Sequence, residues 1–599
     1  MLVEAFYHRA KGSWAFPDGS GAVLVRMRTK RDDADAVTIV FGDKYDWYRT
    51  ERRASMEKRI TDERFDYWEA LVRPPFGRLS YRFELQSGEE RHWYAERWDA
   101  PQPGEGEFGN FEYPYVGNAD LYEPPSWVKD AVFYQIFPDR FANGDATNDP
   151  EEVEAWGGKP TRENYFGGDL QGVIDKLDYL ETLGVNAIYF NPLFQAKSYH
   201  KYDTTNYFEV DRHFGSKETL RQLVEACHRR GIRVLLDAVF NHAGEHFPPF
   251  RDAIDNGASS PYADWFLVRE WPMQAKADGS TTYETFGFEP HMPKFNTANP
   301  KVRDYLLEVA RYWIRETDID GFRLDVANEV DHAFWRKFRE AVKSLKPDAY
   351  ILGEIMHDAT PWLQGDQLDA VMNYAVTDFA MKFFVKDVFH AAQFANCIGN
   401  QLAMYPSKVS EIAFNLLDSH DTPRLLTLCH NDKDRMKLAV IFQFTYPGTP
   451  CIYYGDEVGL TGGGDPDNRQ CMEWDPDKQD LDLLAFYRQA TRLRRSSRAL
   501  RDGGFRFLQA ESGARTLVYE RSNEEERIIV LLNASAEART IELPQLDGSW
   551  RDAWHEEAAA GDKSDGWFLL PPYGFRIFKQ AGVHDASVSM ERKKPVGVI

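Results

Sequence analysis

An α/β protein, a (β/α)8 TIM barrel with a domain inserted after its third strand and a β-sandwich at each end, is the fold this sequence predicts. Three observations carry that reading. From residue 131 onward apolar strands alternate with helical segments, through "AVFYQIFPDRF", "LQGVIDKLDYLETLG", "VNAIYFNPLF", "SKETLRQLVEACHRRG" and "IRVLLDAVFNH", as in a parallel sheet. The regions before and after instead hold short β-branched and aromatic runs between turn signals, as sandwiches do. Four of the barrel strands finish in an acid.

Taken in order, residues 1–122 contain "GAVLVRMRT", "AVTIVFGD", "FDYWEALVRP" and "LSYRFELQSGEE" and form the first sandwich. The paired prolines of "YEPPSWVKD" lead into the barrel, 123–503. After its first three strands come "IDGFRLD", "AYILGE", the short "AVMNY", "EIAFNLLDSHD" and "TPCIYYGDEVG", which brings the count to eight. Asp237 and Asp325 end consecutive strands yet lie 88 residues apart, where a βα unit takes about 30. Residues 243–298 are therefore an insertion, and "NPKVRDYLLEVARYWIRE" supplies the helix. Residues 504–580 form the last sandwich. The tail, 581–599, has few apolar anchors and is expected to be disordered.

Composition narrows the partners. Lys+Arg 72 against Asp+Glu 95 gives a net charge of −23, which repels nucleic acid and anionic membranes and favours a neutral substrate. Aromatic residues make up 14% of the chain and suit stacking on sugar rings. No apolar run approaches the roughly 20 residues of a membrane span. No signal peptide is evident in "MLVEAFYHRAKGSW". The five cysteines are scattered, without a C-x-x-C pair, and read as free thiols of a cytoplasmic protein.

The chemistry lies at the strand ends. Asp237 in "VLLDAVFNH", Asp325 in "GFRLD", Glu354 in "ILGE" and Asp421 in "LLDSHD" fall where this fold carries catalytic groups. Arg323 lies two residues before Asp325 and points the same way. One Arg-x-Asp alone would read as a structural ion pair. Four acids at one mouth, joined by His242, Arg323 and His420, read as a site. Two carboxylates flanking a glycosidic bond can act as nucleophile and acid/base. Arg323 is expected to lower the pKa of Asp325, as a nucleophile requires, and desolvation after "YILG" to raise that of Glu354, as an acid requires.

"DAVFNH" (237–242), "GFRLDVANE" (321–329), "GE" (353–354) and "LLDSHD" (416–421), in that order, resemble the four short conserved regions of the α-amylase family of glycoside hydrolases. "MPKFN" (292–296) and "VANE" resemble its cyclomaltodextrinase, neopullulanase and maltogenic amylase subgroup. The resemblance implies a retaining hydrolase of cyclodextrins, pullulan and maltooligosaccharides, with transglycosylation as a side activity. It implies Asp325 as nucleophile, Glu354 as acid/base and Asp421 as the third carboxylate. His200, Tyr202, Asp237, His242, Arg323, His420, Asp465 and Arg469 would bind substrate. It also implies a carbohydrate-binding-like N-terminal domain through which a homodimer forms. An oligo-α-glucosidase, a debranching enzyme, or a non-catalytic glucan-binding or scaffold protein are the alternatives; the last is expected to lose Asp325 or Glu354, and both are present.

"RFANGDATNDP" crowds the side-chain oxygens of Asn143, Asp145, Asn148 and Asp149 into seven residues. Hard oxygen ligands suit Ca²⁺, although Asn and Asp also favour turns. The resemblance implies a structural Ca²⁺ here, completed by the Gly167 carbonyl and Asp169. One departure stands out. Met356 follows the acid by two residues, where the subgroup usually carries Trp. Either the acceptor side lacks an aromatic platform, or Met356 is packing and Trp362 or an aromatic from a partner chain supplies one.

Overall fold

In the computed structural model the described residues are 1–599 without 19, 105, 107, 118–121, 544, 545, 547–549, 556–565 and 582–599. All of the expected tail except Ala581 falls outside them. Eight parallel strands form the barrel: Phe133–Ile136, Ala187–Phe190, Arg233–Ala238, Gly321–Leu324, Tyr350–Gly353, Ala370–Val371, Phe414–Asn415 and Thr449–Tyr453. Each pairs with its neighbour in sequence and the eighth with the first. A single bridge, Met372 to Phe414, joins the sixth to the seventh. The helices between them begin with caps written in the sequence. Ser216 and Thr219 form a reciprocal capping box on Lys217–Arg229, Asn299 precedes a proline at the start of Pro300–Thr317, and Asp331 caps His332–Leu345.

Strand alternation decides what the barrel contains. Phe133, Tyr189, Leu235, Tyr350, Leu352 and Phe414 fill its interior as one apolar cluster. Val234, Leu236, Phe322 and Ile351 face outward into the core under the helices. Two residues further along the same inward rows come Gln135, Asp237 and Glu354, and Arg323 and Asp325 follow the inward row of the fourth strand. The polar layer therefore caps the apolar one at the C-terminal mouth.

After the third strand, 243–298 contain one α-helix, Pro248–Asn256, a short 3-10 turn, Gly257–Ser259, and isolated antiparallel bridges such as Phe266–Phe295, while Lys294 bridges back to His242. In the N-terminal domain, strand Arg52–Thr61 pairs first with Ala36–Gly42 and then, from Glu57 on and with a bulge between Lys58 and Ile60, with Phe65–Val72. One strand thereby links both halves of a sandwich whose core holds Val25, Met27, Ile39, Trp68 and Phe83. Buried Arg26 fastens this domain to the barrel: it pairs with Glu69 at 2.6 Å and donates to the Ala403 carbonyl at 2.5 Å. The C-terminal domain has a five-stranded sheet, centred on Glu526–Asn533, and a two-stranded one.

The opposite end of the barrel is tied by a buried acid. Asp320 accepts from His228 Nε2 (2.8 Å), Arg233 Nη1 (2.7 Å) and the Val234 amide (2.9 Å), and Lys346 Nζ lies at 3.0 Å. Burial pushes its carboxyl up, but the His228 hydrogen bond and the Lys346 charge outweigh this and hold it at about 2. An unfolded aspartate titrates near about 3.9. Its ionised form thus contributes stability above that pH, and the contribution is lost as pH falls through the folded value. Asp320→Asn should cost about 2–3 kcal/mol at neutral pH, and the gap from the wild type should close as pH falls from about 4 to about 2. Scanning calorimetry reads this; a gap of equal size at both ends of that range would contradict it.

Candidate active site

Parallel register pairs Asp237 with Arg323 and Leu324 with Gly353. Asp325 and Glu354, one residue beyond the second pair, therefore come side by side. Buried Arg323 binds all three acids: Nη1 lies 3.1 Å from Asp237 Oδ2 and 2.8 Å from Asp325 Oδ1, and Nη2 lies 2.7 Å from Glu354 Oε1. Glu354 Oε2 accepts from the Val326 amide at 2.9 Å. Three buried atoms of this cleft, Asp325 Oδ2, Arg323 Nε and His242 Nε2, have no hydrogen-bond partner among the described residues. Unpaired buried polar atoms are costly and call for an explanation. A polyhydroxylated ligand completing these bonds supplies one.

The expectation that Arg323 sets a low pKa for Asp325 is corrected here. Burial raises the Asp325 carboxyl well above its ordinary value, Arg323 pulls it down, and the charges of Glu354 and Asp237 push it up again. Asp237 is raised by burial too, against the pull of Arg323. One guanidinium cannot neutralise three carboxylates, and Asp237 and Asp325 each hold a proton more tightly than an isolated aspartate would.

A second network runs around the mouth. Gln135 Nε2 donates to His420 Nδ1 at 2.8 Å, which leaves the imidazole proton on Nε2, 2.7 Å from the Tyr202 hydroxyl. Tyr202 donates in turn to Asp237 Oδ2 at 3.0 Å and accepts from Asn191 at 3.1 Å. Its ring stacks on His420 with centroids 5.6 Å apart. Burial lowers His200 and His242 to about 3 and His420 well below its ordinary value, so all three are neutral at physiological pH. His242 stacks on Phe286 of the insertion. Asp421 opens to the cleft, its carboxylate 3.2 Å from His420 Nε2. Arg469 pairs with Asp465 at 3.0 Å and donates from Nε to the His420 carbonyl. Every site residue expected for catalysis or substrate binding except His200 and His242 thus joins one connected set; His200 adjoins it through the Tyr202 amide, 3.1 Å from its Nδ1, and His242 meets Phe286 with its Nε2 unpaired among the described residues.

Several participants escaped the sequence reading. Gln135 and Asn191 orient His420 and Tyr202, Tyr189 donates to Asp237 at 2.7 Å, and Asn468 holds the His420 carbonyl at 2.7 Å. Gln135 was open to detection as a lone polar residue in the apolar strand "FYQIF". Met356 is 63% exposed and so fills no gap within this chain, while Trp362 is only 8% exposed, covered by His332 and His357. Trp362 therefore offers no open platform.

In the proposed metal loop, Asn143 Nδ2 donates to Asp149 Oδ1 at 2.7 Å, and Asn148 Oδ1 is buried without a partner among the described residues. Gly167, at φ +79°, lies so close that a Cβ there would fall 2.4 Å from Asp149 Oδ1, which only glycine permits. These donors fit a hard cation. Asp145 and Asp169 are engaged otherwise. Asp145 Oδ1 accepts from both Thr147 groups. Asp169 caps helix Leu170–Asp175 and accepts from the amides of Gly144, Asp145 and Gly172. No cluster of three His, Cys, Asp or Glu side chains with metal-binding geometry occurs among the described residues.

Residues 135–503 match the family model for the alpha amylase catalytic domain, 1–117 that for the alpha amylase N-terminal ig-like domain, and 505–577 that for the maltogenic amylase C-terminal domain. The chain is 55% identical to a cyclomaltodextrinase from a Bacillus species, over 90% of this chain and 97% of the relative. It is 47% identical to a maltogenic alpha-amylase from Bacillus acidopullulyticus, over 93% and 96%. A solved cyclomaltodextrinase structure superposes with a TM-score of 0.92 at 52% identity, covering 97% of this chain and all of that one.

Proposed function

The chain belongs to the α-amylase family of glycoside hydrolases, and from that premise we propose that it cleaves α-1,4-glucosidic bonds of cyclodextrins, pullulan and maltooligosaccharides with retention of configuration. The observation that carries the reading is the pair of carboxylates on one guanidinium, of which Asp325 keeps a buried oxygen free. In this reading that oxygen attacks the anomeric carbon while Glu354 passes its proton to the departing glycosidic oxygen. Glu354 then takes a proton from water, which displaces Asp325 from the sugar. His242, His420 and Asp421 would hold the sugar hydroxyls, Tyr202 would stack under the ring, and Asp465 and Arg469 would also contact substrate. Product analysis on β-cyclodextrin, pullulan and soluble starch, with Asp325→Asn as control, tests this. All turnover should fall by at least a thousandfold in the variant, since an amide cannot form the glycosyl ester; activity within tenfold of wild type would refute the nucleophile.

The metal is part of the proposal. Asn143, Asn148, Asp149 and the Gly167 carbonyl would hold Ca²⁺, with Asp145 and Asp169 shaping the loop through their hydrogen bonds to backbone amides. Bound Ca²⁺ would cross-link the segment after the first barrel strand to the start of the next helix, and a metal that binds only the folded state stabilises by mass action. A chelator should lower the melting temperature by several degrees and leave low-temperature activity nearly intact. An unchanged melting curve, with no calcium found by elemental analysis, would remove the site.

We further propose a homodimer built through the N-terminal domain and residence in the cytoplasm. Tyr45, Tyr48 and Phe108 stand largely exposed on that domain, Tyr48 at 83%, and exposed aromatics of that size favour association. The five unpaired cysteines suit a reducing compartment. No described helix is long and apolar enough to cross a membrane. Tyr48→Lys should shift the sedimentation of the assembly toward monomer, and a wild type that sediments as a monomer at micromolar concentration rules the dimer out.

A further inference from the structure

The motifs "MPKFN" and "VANE" meet in the structure at one ammonium. Lys294 Nζ lies 3.1 Å from Glu329 Oε2, donates to the Glu329 carbonyl at 3.1 Å, and donates to Asn241 Oδ1. The backbone holds it there. Lys294 stands opposite His242 in an antiparallel bridge, flanked by the Phe295 amide on the Asn241 carbonyl (3.0 Å) and the Ala243 amide on the Pro293 carbonyl (3.0 Å). An ammonium has three N–H donors and no acceptor. Three protein oxygens take those three donors, so Lys294 is built to hold its neighbours and not a ligand.

Asn241, buried beside His242, passes this constraint on. A side-chain amide has one accepting end and one donating end. Lys294 can only donate, so it takes the oxygen and turns Nδ2 toward His242 Nδ1, 3.3 Å away. The reversed amide would set its own N–H groups against the ammonium. Because Nδ2 can only donate, Nδ1 carries no proton. The buried imidazole is neutral, and its single proton therefore sits on Nε2, the buried atom of the cleft that has no partner among the described residues. We propose that Lys294 is a positioning residue: it fixes the amide of Asn241, and through it the tautomer of His242, so that an Nε2–H donor faces the sugar. The proposal rests on the reading of His242 as a donor to a sugar hydroxyl. It gives the insertion two holds on one ring, since Phe286 stacks on the face of His242 while Lys294 settles its proton. Gln135 does the same for His420 from the first barrel strand.

Two readouts on the full chain test this. The first is the tautomer, read from the ring nitrogens of histidine labelled with ¹⁵N and assigned through the signals lost in His242→Ala; a bare and a protonated ring nitrogen resonate far apart. The wild type should show a bare Nδ1 and a protonated Nε2. Lys294→Met frees the amide to turn and should bring a proton onto Nδ1. Asn241→Asp, of equal size, offers only oxygens to the ring and should protonate Nδ1 fully; it carries the test if Lys294→Met fails to fold. A protonated Nδ1 in the wild type, or ring signals that no substitution moves, overturns the proposal. The second readout is kcat/KM on maltotriose. Lys294→Met should lose about three- to tenfold, the size of one hydrogen bond between neutral groups. Made in the His242→Ala background, it should lose almost nothing more, because residues acting as one unit are not additive. A role in merely holding the insertion would cost the same in both backgrounds, and that result also overturns the proposal. His242→Ala alone is the reference. If it costs less than about threefold, the sugar-binding reading of His242 has failed, and the ring signals still decide whether Lys294 sets the tautomer.

Discussion

A single guanidinium sealed under the barrel mouth organises this protein. Burying Arg323 costs several kcal/mol unless its charge is met, and it is met three times over, by Asp237, Asp325 and Glu354. The acids come from three adjacent strands, so the arrangement exists only if the third, fourth and fifth strands pair in one register. A slip of one residue would turn every side chain of a strand to its other face. The apolar layer beneath, from Phe133 to Phe414, holds that register. Packing and chemistry are thus consecutive storeys of the same rows of side chains.

The excess of negative charge over that one cation is useful. Asp237 and Asp325, both raised by burial, hold protons more tightly than free aspartates, and Asp325 Oδ2 stays uncommitted. The neutral histidines complement this. A buried imidazolium beside Arg323 would be repelled, whereas a neutral ring can still donate one hydrogen bond to a hydroxyl. Gln135 determines which nitrogen of His420 does so.

Much of this was legible in the chain because strands announce themselves. Apolar runs ending in Asp237, Asp325, Glu354 and Asp421 gave both the barrel and its mouth, and the 88-residue gap between the first two revealed the insertion. What escaped depends on tertiary register or runs against local preference. Gln135 meets His420 across 285 residues, a pairing no local pattern encodes. Val326, in left-handed geometry at φ 46°, contradicts its own propensity, so its sequence context reads as ordinary strand. The sign of the Asp325 shift was misjudged for a related reason: Arg323 is two residues away in sequence, while the burial and the two other carboxylates that outweigh it appear only in the folded molecule. In the metal loop the spacing of Asn and Asp was readable, but not that Asp169 spends its oxygens capping a helix.

The central claim is that Arg323 gathers three acids and leaves only one of them, Asp325, with a free oxygen for the sugar. Trapping the glycosyl-enzyme with a fluorinated maltosyl fluoride, followed by peptide mass mapping, tests it most directly. The account predicts a single adduct on the peptide that carries Asp325. An adduct on Asp237, Glu354 or Asp421, or steady turnover of the probe with inversion and no adduct, would contradict it.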